Sequence, residues 1–480
     1  MSTGTADLSP SIQLPSQLLA QSFSLYGQDT WNATSRLTLT YGLRWELAPA
    51  PSARGATTLA SWKNTDNPAQ IDLAPSGTPV WATTYGNLAP RIGAAYSLTP
   101  HGDFVLRAGW GLFYDLGTGQ FASLTSNFPN SNFGFAPGLA LPVGDLTPFL
   151  PTIPPTFTQP PFPFVIGFAS NLKLPRTQEW NVALEKSFGG KQVISATYVG
   201  HAGRRLLRVE GLNQPNANFS SVIDLTRNTT QSNYDSLQLQ YRRNLSAGLQ
   251  MLLNYSWSHS LDDASNDTVE VLPLNVAVIS GGDYSSSDFD VRHNVSAALS
   301  YEIPSPKSGL VSLLAGHWSV ESVVVARSGF PFNAVVFGVG PQGGAVFTRP
   351  DLTGQPAWIH DSTAGGGKSL NPNAFSVPTT PRQGTEGRND ISGFGLAQVD
   401  LSLSRKFPIT ERVNLQFRAD AFNVFNHPNF TNPFGYVQFA QFDPTFLKSK
   451  AMLNQGLGGL NPLFQEGGPR SLQLSLRLSF

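Results

Sequence analysis

The sequence predicts an all-β protein, an antiparallel transmembrane β-barrel with short turns at one end and long loops at the other. Three observations predict it. Apolar residues recur at every second position through long segments, the connections alternate between short and long, and aromatic clusters stand where strands enter the long connections. The composition agrees. Of the 480 residues 13% are charged, about half the usual share for a soluble domain, and 11% are aromatic, with abundant glycine and proline. Acidic and basic residues balance, so no broad field points to nucleic acid. Cysteine is absent, which excludes disulfide and thiol chemistry. No apolar run reaches the roughly 18 residues of a membrane helix.

Taken in order, the alternation predicts thirteen strands, near 22–31, 36–47, 88–98, 103–115, 176–188, 191–203, 232–244, 249–261, 288–303, 317–328, 396–407, 412–425 and 470–480. In 36–47, Leu37, Leu39, Tyr41, Leu43, Trp45 and Leu47 oppose Arg36, Thr38, Thr40, Gly42, Arg44 and Glu46. In 103–115, Phe104, Leu106, Ala108, Trp110, Leu112 and Tyr114 oppose Val105, Arg107, Gly109, Gly111, Phe113 and Asp115. Leu249, Met251, Leu253, Tyr255 and Trp257 share one side of 249–261. In 412–425, Val413, Leu415, Phe417, Ala419 and Ala421 oppose Asn414, Gln416, Arg418 and Asp420. The last strand alternates Leu472, Leu474, Leu476, Leu478 and Phe480 with Gln473, Ser475, Arg477 and Ser479. Period two means strand, and about ten tilted residues cross a bilayer.

The short connections are NATS, TPHG, GG, LSAG and PIT, with a longer one around Pro304–Gly316; the long ones cover 48–87, 116–175, 204–231, 262–287, 329–395 and 426–469. An outer-membrane barrel keeps short turns in the periplasm and long loops outside. Trp45, Trp110, Tyr114, Tyr255, Trp257 and Phe425 are then expected to form the outer aromatic girdle, because amphipathic rings favour the membrane–water boundary. The leucine face of the last strand is expected to meet lipid. Arg44, Arg107, Arg418, Asp420 and Arg477 are expected to face a polar lumen, where arginines pair with acidic neighbours such as Glu46, Glu321 and Asp420. Lys186 and Arg405 fall on the lipid side, near short turns where charge costs little. A soluble β-protein that binds carbohydrate is the alternative. It would alternate too, but it does not explain long strands, one-sided loops and aromatic rims together.

Segments 22–31 and 470–480 both run from the long-loop side to the short-turn side. Single-chain bacterial barrels have even strand counts, so thirteen strands are expected to be the C-terminal part of a longer barrel, or to be completed by other strands. Two unpaired edges remain otherwise. Residues 1–20 have no basic start and no apolar stretch of signal-peptide type. The expected division is a disordered or non-native segment over 1–20 and a barrel domain without plug over 21–480.

"LYGQDTWNATSRLTLTYGLRWE", "FVLRAGWGLFYD", "QEWNVALEKSFGGKQVISATYVGHAGRRL", "SDFDVRHNVSAALSYEIP" and, most specifically, "PITERVNLQFRADAFNVFNHPNF" resemble the barrel portion of Oar-like TonB-dependent outer-membrane transporters. The resemblance covers nearly the whole chain from about Gln21. It implies a barrel of 22 strands, of which this chain would supply 13–14, closed by a plug on which the TonB complex pulls. It implies a location in the Gram-negative outer membrane, import of a solute too large for general porins, and no enzymatic activity. The implied partners are outer-membrane lipid, the unnamed solute, the TonB complex where a plug is supplied, and the barrel-assembly machinery, which would read the terminal Phe480. A passive pore is the other functional reading.

Four motifs are candidate sites. "GGGKS" at Gly365–Ser369 resembles a phosphate loop but lacks the first glycine, its place taken by Ser362, so a plain loop is expected. Asp262, Asp263 and Asp267 lie at one end of a long loop and Asp283, Asp288 and Asp290 at the other; the spacing fits no EF-hand, so they are only weak candidates for binding a cation. His201, His259 and His427 each stand near an outer strand end, but scattered histidines without a ligand spacing predict no metal. The Phe- and Pro-rich loop 116–175 either packs on itself or offers an aromatic platform to a solute. No catalytic, cofactor or metal residue is assigned.

Overall fold

The computed structural model of the chain describes residues 4–55, 57–115, 123–134, 136–140, 144–150, 159–265, 283–306, 316–339, 345–380, 382–410, 412–453 and 467–480. Its frame is a sheet of thirteen strands: β1 (Phe23–Asn32), β2 (Leu37–Leu47), β3 (Asn87–Ser97), β4 (Phe104–Tyr114), β5 (Arg176–Phe188), β6 (Gln192–Asn213), β7 (Val222–Ser246), β8 (Leu249–Asp262), β9 (His293–Glu302), β10 (Trp318–Arg327), β11 (Leu396–Pro408), β12 (Asn414–Phe422) and β13 (Ser471–Ser479). Each strand pairs antiparallel with its neighbours in sequence, so the wall is an unbroken meander. Among the described residues β1 and β13 each pair on one side only.

Register keeps the period-two pattern in line across the wall. Trp31, Leu39, Ala94, Ala108, Val182, Tyr198, Leu237 and Trp257 form one cross-strand row. Leu474, Ala419, Leu403, Val320, Tyr301 and Leu249 form another on the same face. On the opposite face Gln473, Asp420, Ser402, Glu321, Ser300 and Gln250 share a row. A slip of one residue in any pair would mix the two sets. The tightest turn, Ala247–Gly248 between β7 and β8, has both φ values positive, at 52° and 76°, which matches the right-handed twist of the strands it joins.

The apolar face is uncovered: Leu474 is 63% exposed and Ile92 58%. The buried apolar clusters lie instead in the long connections. Strands β6 and β7 run 22 and 25 residues, about twice a membrane crossing, and their upper halves form an arm. One cluster sets Trp62, Ile71, Phe128, Phe162 and Val165 against Phe219, Ile223 and Leu225 of the arm. A second joins Trp81, Leu124, Phe168 and Leu172 to Leu207. A third binds the connection after β10 to that after β12 through Val336, Leu370, Phe375, Ile391, Val437 and Leu447. The loop strand Val165–Phe168 adds to β7 in parallel, and Gly167 leaves the space that the Trp62 indole fills.

Three expectations are corrected. The connection 204–231 is mostly strand: β6 and β7 stay paired to Asn213 and Val222, with bulges at Arg204–Leu206 and Leu206–Arg208. Its polar residues hid a ladder that is held by loop packing. Within the segment 1–20, expected to be disordered or non-native, Thr5–Leu8, Ser11–Gln13 and Gln17–Leu19 are short strands paired with Ala136–Ala140, Ser131–Phe133 and Ser52–Arg54. Those partners lie in long loops, so local sequence gave no sign of them. The ninth strand starts at His293 rather than 288, because Asp290 N–H bonds back to the Ser287 carbonyl at 2.9 Å in a turn.

Replacing Gly167 by alanine is expected to push the Trp62 indole out of its site and to destabilise the loop core by about 1–3 kcal/mol. Tryptophan fluorescence followed through thermal melting in detergent measures the shift.

Candidate functional site

The long-loop end carries most of the buried charge. Arg388, on the connection before β11, is 4% exposed at its side chain. Its Nη1 donates to Asp262 Oδ1 at 2.7 Å and to the Asp262 carbonyl at 2.9 Å. Its Nη2 donates to Ser265 Oγ at 2.7 Å and to Asp288 Oδ1 at 3.3 Å. The next residue, Asn389, donates to Asp288 Oδ1 at 2.7 Å and to the Ser286 carbonyl at 2.8 Å. Arg349 pairs with Asp283 at 2.8 Å and donates from Nε to the Glu386 carbonyl at 3.0 Å. These contacts staple the connection after β8 to that after β10. Carboxylates far apart in sequence do converge, but onto arginine.

Asp290 accepts from Ser260 N–H at 2.8 Å and lies 3.1 Å from His259 Nδ1. Asp263 accepts from Gln231 N–H at 2.8 Å, and burial raises its carboxyl above the usual range. Asp267 lies outside the described residues. Among the described residues no group of acidic and histidine side chains is placed to hold a metal ion. Glu386 is the buried acid these staples leave over. It accepts from Ala334 N–H at 3.1 Å, its Oε2 meets no donor among the described residues, and burial pushes its pKa up to about 8.

Beneath the loops, the polar face of the wall holds a recess of about 610 Å³ lined by Glu179, His201, Tyr234, Ser256, Ser258, Asn294 and Arg327, with Phe289 at its edge. Glu179, His201, Tyr234 and Ser260 form one cross-strand row, and the His201 and Tyr234 rings stack at 5.3 Å. The recess combines an aromatic surface, a run of hydroxyls and two opposite charges. It offers hydrogen bonds and ring contacts but no nucleophile–base pair.

Residues 6–448 match the sequence profile of the outer membrane beta barrel domain. The chain belongs to that family. Among solved structures it is similar to the pyoverdine outer membrane receptor FpvA of Pseudomonas aeruginosa, at 12% identity and a TM-score of 0.48, over 97% of this chain and 43% of that one. It is also similar to the outer membrane transporter YddB of Escherichia coli, at 10% identity and 0.49, over 96% and 54%. A third is the ferric-catecholate import receptor Fiu of E. coli, at 10% and 0.47, over 97% and 45%. The chain thus spans roughly half or less of the length of these structures. No curated protein matches it.

Within this outer-membrane domain the expected site residues fall as follows. Leu472, Leu474, Leu476 and Leu478 share the uncovered apolar face with Trp45, Trp110, Tyr255 and Trp257, and Phe480 is 95% exposed at the chain's end. Trp110 lies opposite Trp180, Tyr114 opposite Arg176, and Trp45 Nε1 donates to the Tyr85 carbonyl at 2.7 Å. Phe425 stands past the end of β12 on a turn between Asn423 and Asn426, both at positive φ. Arg44, Arg107, Arg418, Asp420 and Arg477 share the polar face. There Arg44 pairs with Glu46, and Arg418 with Glu321 at 2.7 Å and Asp420 at 2.8 Å, so those cations are spent on the wall. Lys186 and Arg405 sit at the short-turn rim over aromatic rings, Lys186 over Phe104 at 5.7 Å and Arg405 over Phe407 at 4.4 Å.

Three further expectations meet the geometry as follows. Lys368 of the GGGKS loop lies over Trp358 at 4.1 Å and Phe394 at 4.7 Å, so aromatic faces hold the ammonium where a phosphate would be expected to. In loop 116–175, Phe128, Phe162 and Phe168 are buried in the clusters above, as self-packing predicts, whereas Phe164 is 39% exposed and Phe121, Phe135 and Phe157 lie outside the described residues. His201, His259 and His427 do not converge: they serve the recess, Asp290 and the Asn429 side chain respectively. Arg388, Arg349 and Glu386 escaped the sequence reading because their partners lie up to 126 residues away.

Arg388→Met strands buried Asp262 and is expected to cost about 3–5 kcal/mol, with Asp262→Asn in the same chain restoring part of it. Limited proteolysis of the loops with a melting curve measures both. Glu386 is favoured protonated in the fold, so its contribution is complete below about 4.5 and is lost as pH rises through about 8. Glu386→Gln is expected to flatten that decline in loop stability between pH 5 and about pH 9.

Proposed function

We propose that this outer-membrane domain is the solute channel of a TonB-dependent type of importer, with its apolar face in lipid and its polar face toward a lumen. The observation that carries the reading is the wall itself: thirteen registered strands, apolar and uncovered on one side and polar on the other. A soluble protein seldom exposes an apolar area beyond a few hundred Å². The reading that this is a soluble carbohydrate-binding protein meets that obstacle. The folded loops at one end would capture a large solute, and the recess around His201 and Tyr234 would receive it. A plug and the TonB complex would gate and drive passage, and the barrel-assembly machinery would insert the wall. Nothing in this role requires covalent chemistry.

A second reading, a passive pore or a barrel assembled with other strands, is favoured by the edges. β1 and β13 both run from the long-loop end to the short-turn end. Pairing them with each other would be parallel, so antiparallel closure needs an odd number of further strands between them. Solute uptake that stops when the inner membrane is de-energised supports import. Steady conductance indifferent to energisation supports the pore.

The chain has no cysteine, so single labels are clean. Spin labels at Leu39→Cys, Leu415→Cys and Leu474→Cys in reconstituted vesicles are expected to relax with oxygen and to be shielded from a water-soluble nickel chelate. Labels at all three sites that respond to the chelate instead would rule out the lipid-facing wall.

A further inference from the structure

Beside the arm a second recess, of about 390 Å³, opens where three separate segments meet: Asp66 after β2, Asn171 and Lys173 before β5, and Arg205, Arg227 and Asn228 on the arm. One side chain organises it. The Asn228 carboxamide oxygen accepts from Lys173 N–H at 2.7 Å, and its Nδ2 donates to the Lys173 carbonyl at 2.8 Å and the Arg205 carbonyl at 2.6 Å. Arg205 occupies the bulge between Arg204 and Leu206 at a φ of 57°, a left-handed conformation unfavourable for a residue with a Cβ. The bulge takes Arg205 out of the ladder and presents it at the recess.

The neighbouring cations are already engaged. Arg204 donates to the Gly203 and Ser232 carbonyls at 2.8 and 2.9 Å and to Asn233 Oδ1 at 2.9 Å. Arg208 and Arg227 pair with Glu210 at 3.6 and 3.1 Å. The recess's own carboxylate, Asp66, accepts from Asn171 Nδ2 at 3.1 Å. Lys173 and Arg205 have no carboxylate partner among the described residues, although both backbones are clamped. Lys173 and Arg205 thus line one recess without a carboxylate partner, on backbones fixed by Asn228 and, at Arg205, by the bulge, and two such cations suit an anion.

We propose that this recess binds an oxyanion, a phosphate or a carboxylate group, at the outer mouth of the channel. A guanidinium offers paired N–H donors to two oxygens, and the ammonium supplies a point charge. The inference rests on the long-loop end being the outer mouth, and so deepens the reading above by naming the chemistry of one contact. The anion belongs either to a soluble solute or to a lipid phosphate.

The test uses the full chain in zwitterionic detergent, titrated calorimetrically with inorganic phosphate and, separately, with citrate. At least one is expected to bind, and Arg205→Gly and Lys173→Met are each expected to weaken it tenfold or more. Glycine adopts positive φ freely, so Arg205→Gly keeps the bulge while removing the charge. An unchanged melting curve confirms that it folds. Competition by zwitterionic vesicles doped with lipid A assigns the site to lipid phosphate, and its absence assigns it to a soluble anion. Equal affinity of wild type and both variants, or no binding of either anion by the wild type, overturns the proposal. The spin labels above decide the lipid-facing wall independently of this titration.

Discussion

The structure depends on a displacement of its hydrophobic core. In a soluble sandwich the inward faces of the strands pack on each other. Here the wall's apolar face carries no second layer of protein among the described residues, and Leu472, Leu474 and Leu476 are each more than half exposed. Apolar surface this extensive is stable only against an apolar neighbour. Membership of an outer-membrane family supplies one. The remaining core, built round Trp62, Ile71, Ile223 and Leu225, lies where the connecting segments pack on the arm of β6 and β7. The strands define the wall, and the connections carry the globular part.

That arrangement explains the arm. Loops of this length would cost much conformational entropy to order and have no wall to lean on beyond the membrane. By running on as a paired hairpin, β6 and β7 provide a rigid surface outside the sheet on which the connections after β2 and β4 condense. On the other side polar staples join the connections. Arg388 and Arg349 bind two connections through buried carboxylates, with the apolar cluster around Phe375 and Val437 beneath. One half of the mouth is thus held mainly by apolar packing and the other by charge as well. In the second, burial keeps the acid Glu386 protonated near neutrality.

The wall was legible because its code is local. Alternation at every second residue is read directly from "LQLSLRLSF", and the predicted strand centres fall on the observed strands. The ends were less legible, since β6 and β7 continue through Arg208, Glu210, Asp224 and Thr226, residues whose pairing depends on a loop core assembled from elsewhere. The site was legible in composition but not in pairing. The aspartates of 262–290 were visible as a cluster, whereas Arg388, more than a hundred residues on, was needed to show that the cluster is a clasp. Lys368 taught the same lesson: a glycine-rich lysine motif was defined by two aromatic rings that no spacing rule connects to it.

Charge pairing accounts for many of the chain's arginines. On the polar face Arg418 is consumed by Glu321 and Asp420, and Arg44 by Glu46, so these pairs stiffen the wall and hold little in reserve for a ligand. In the mouth Arg388, Arg349 and Arg227 are consumed in the same way. Recognition needs groups whose bonding capacity is held in place yet not satisfied internally, because a group already paired must first be released. Two places offer such groups: the stacked His201 and Tyr234 with Glu179 beside them, and the recess where Asn228 draws together the backbones of Lys173 and Arg205. The second lies on the arm and the first on the wall below the loops. Arg205 and Arg204 are adjacent in sequence, and a single bulge sends one into the ladder's bonding and the other out of it. Backbone conformation, more than residue type, therefore separates the arginine bonded along the ladder from the one left at the recess.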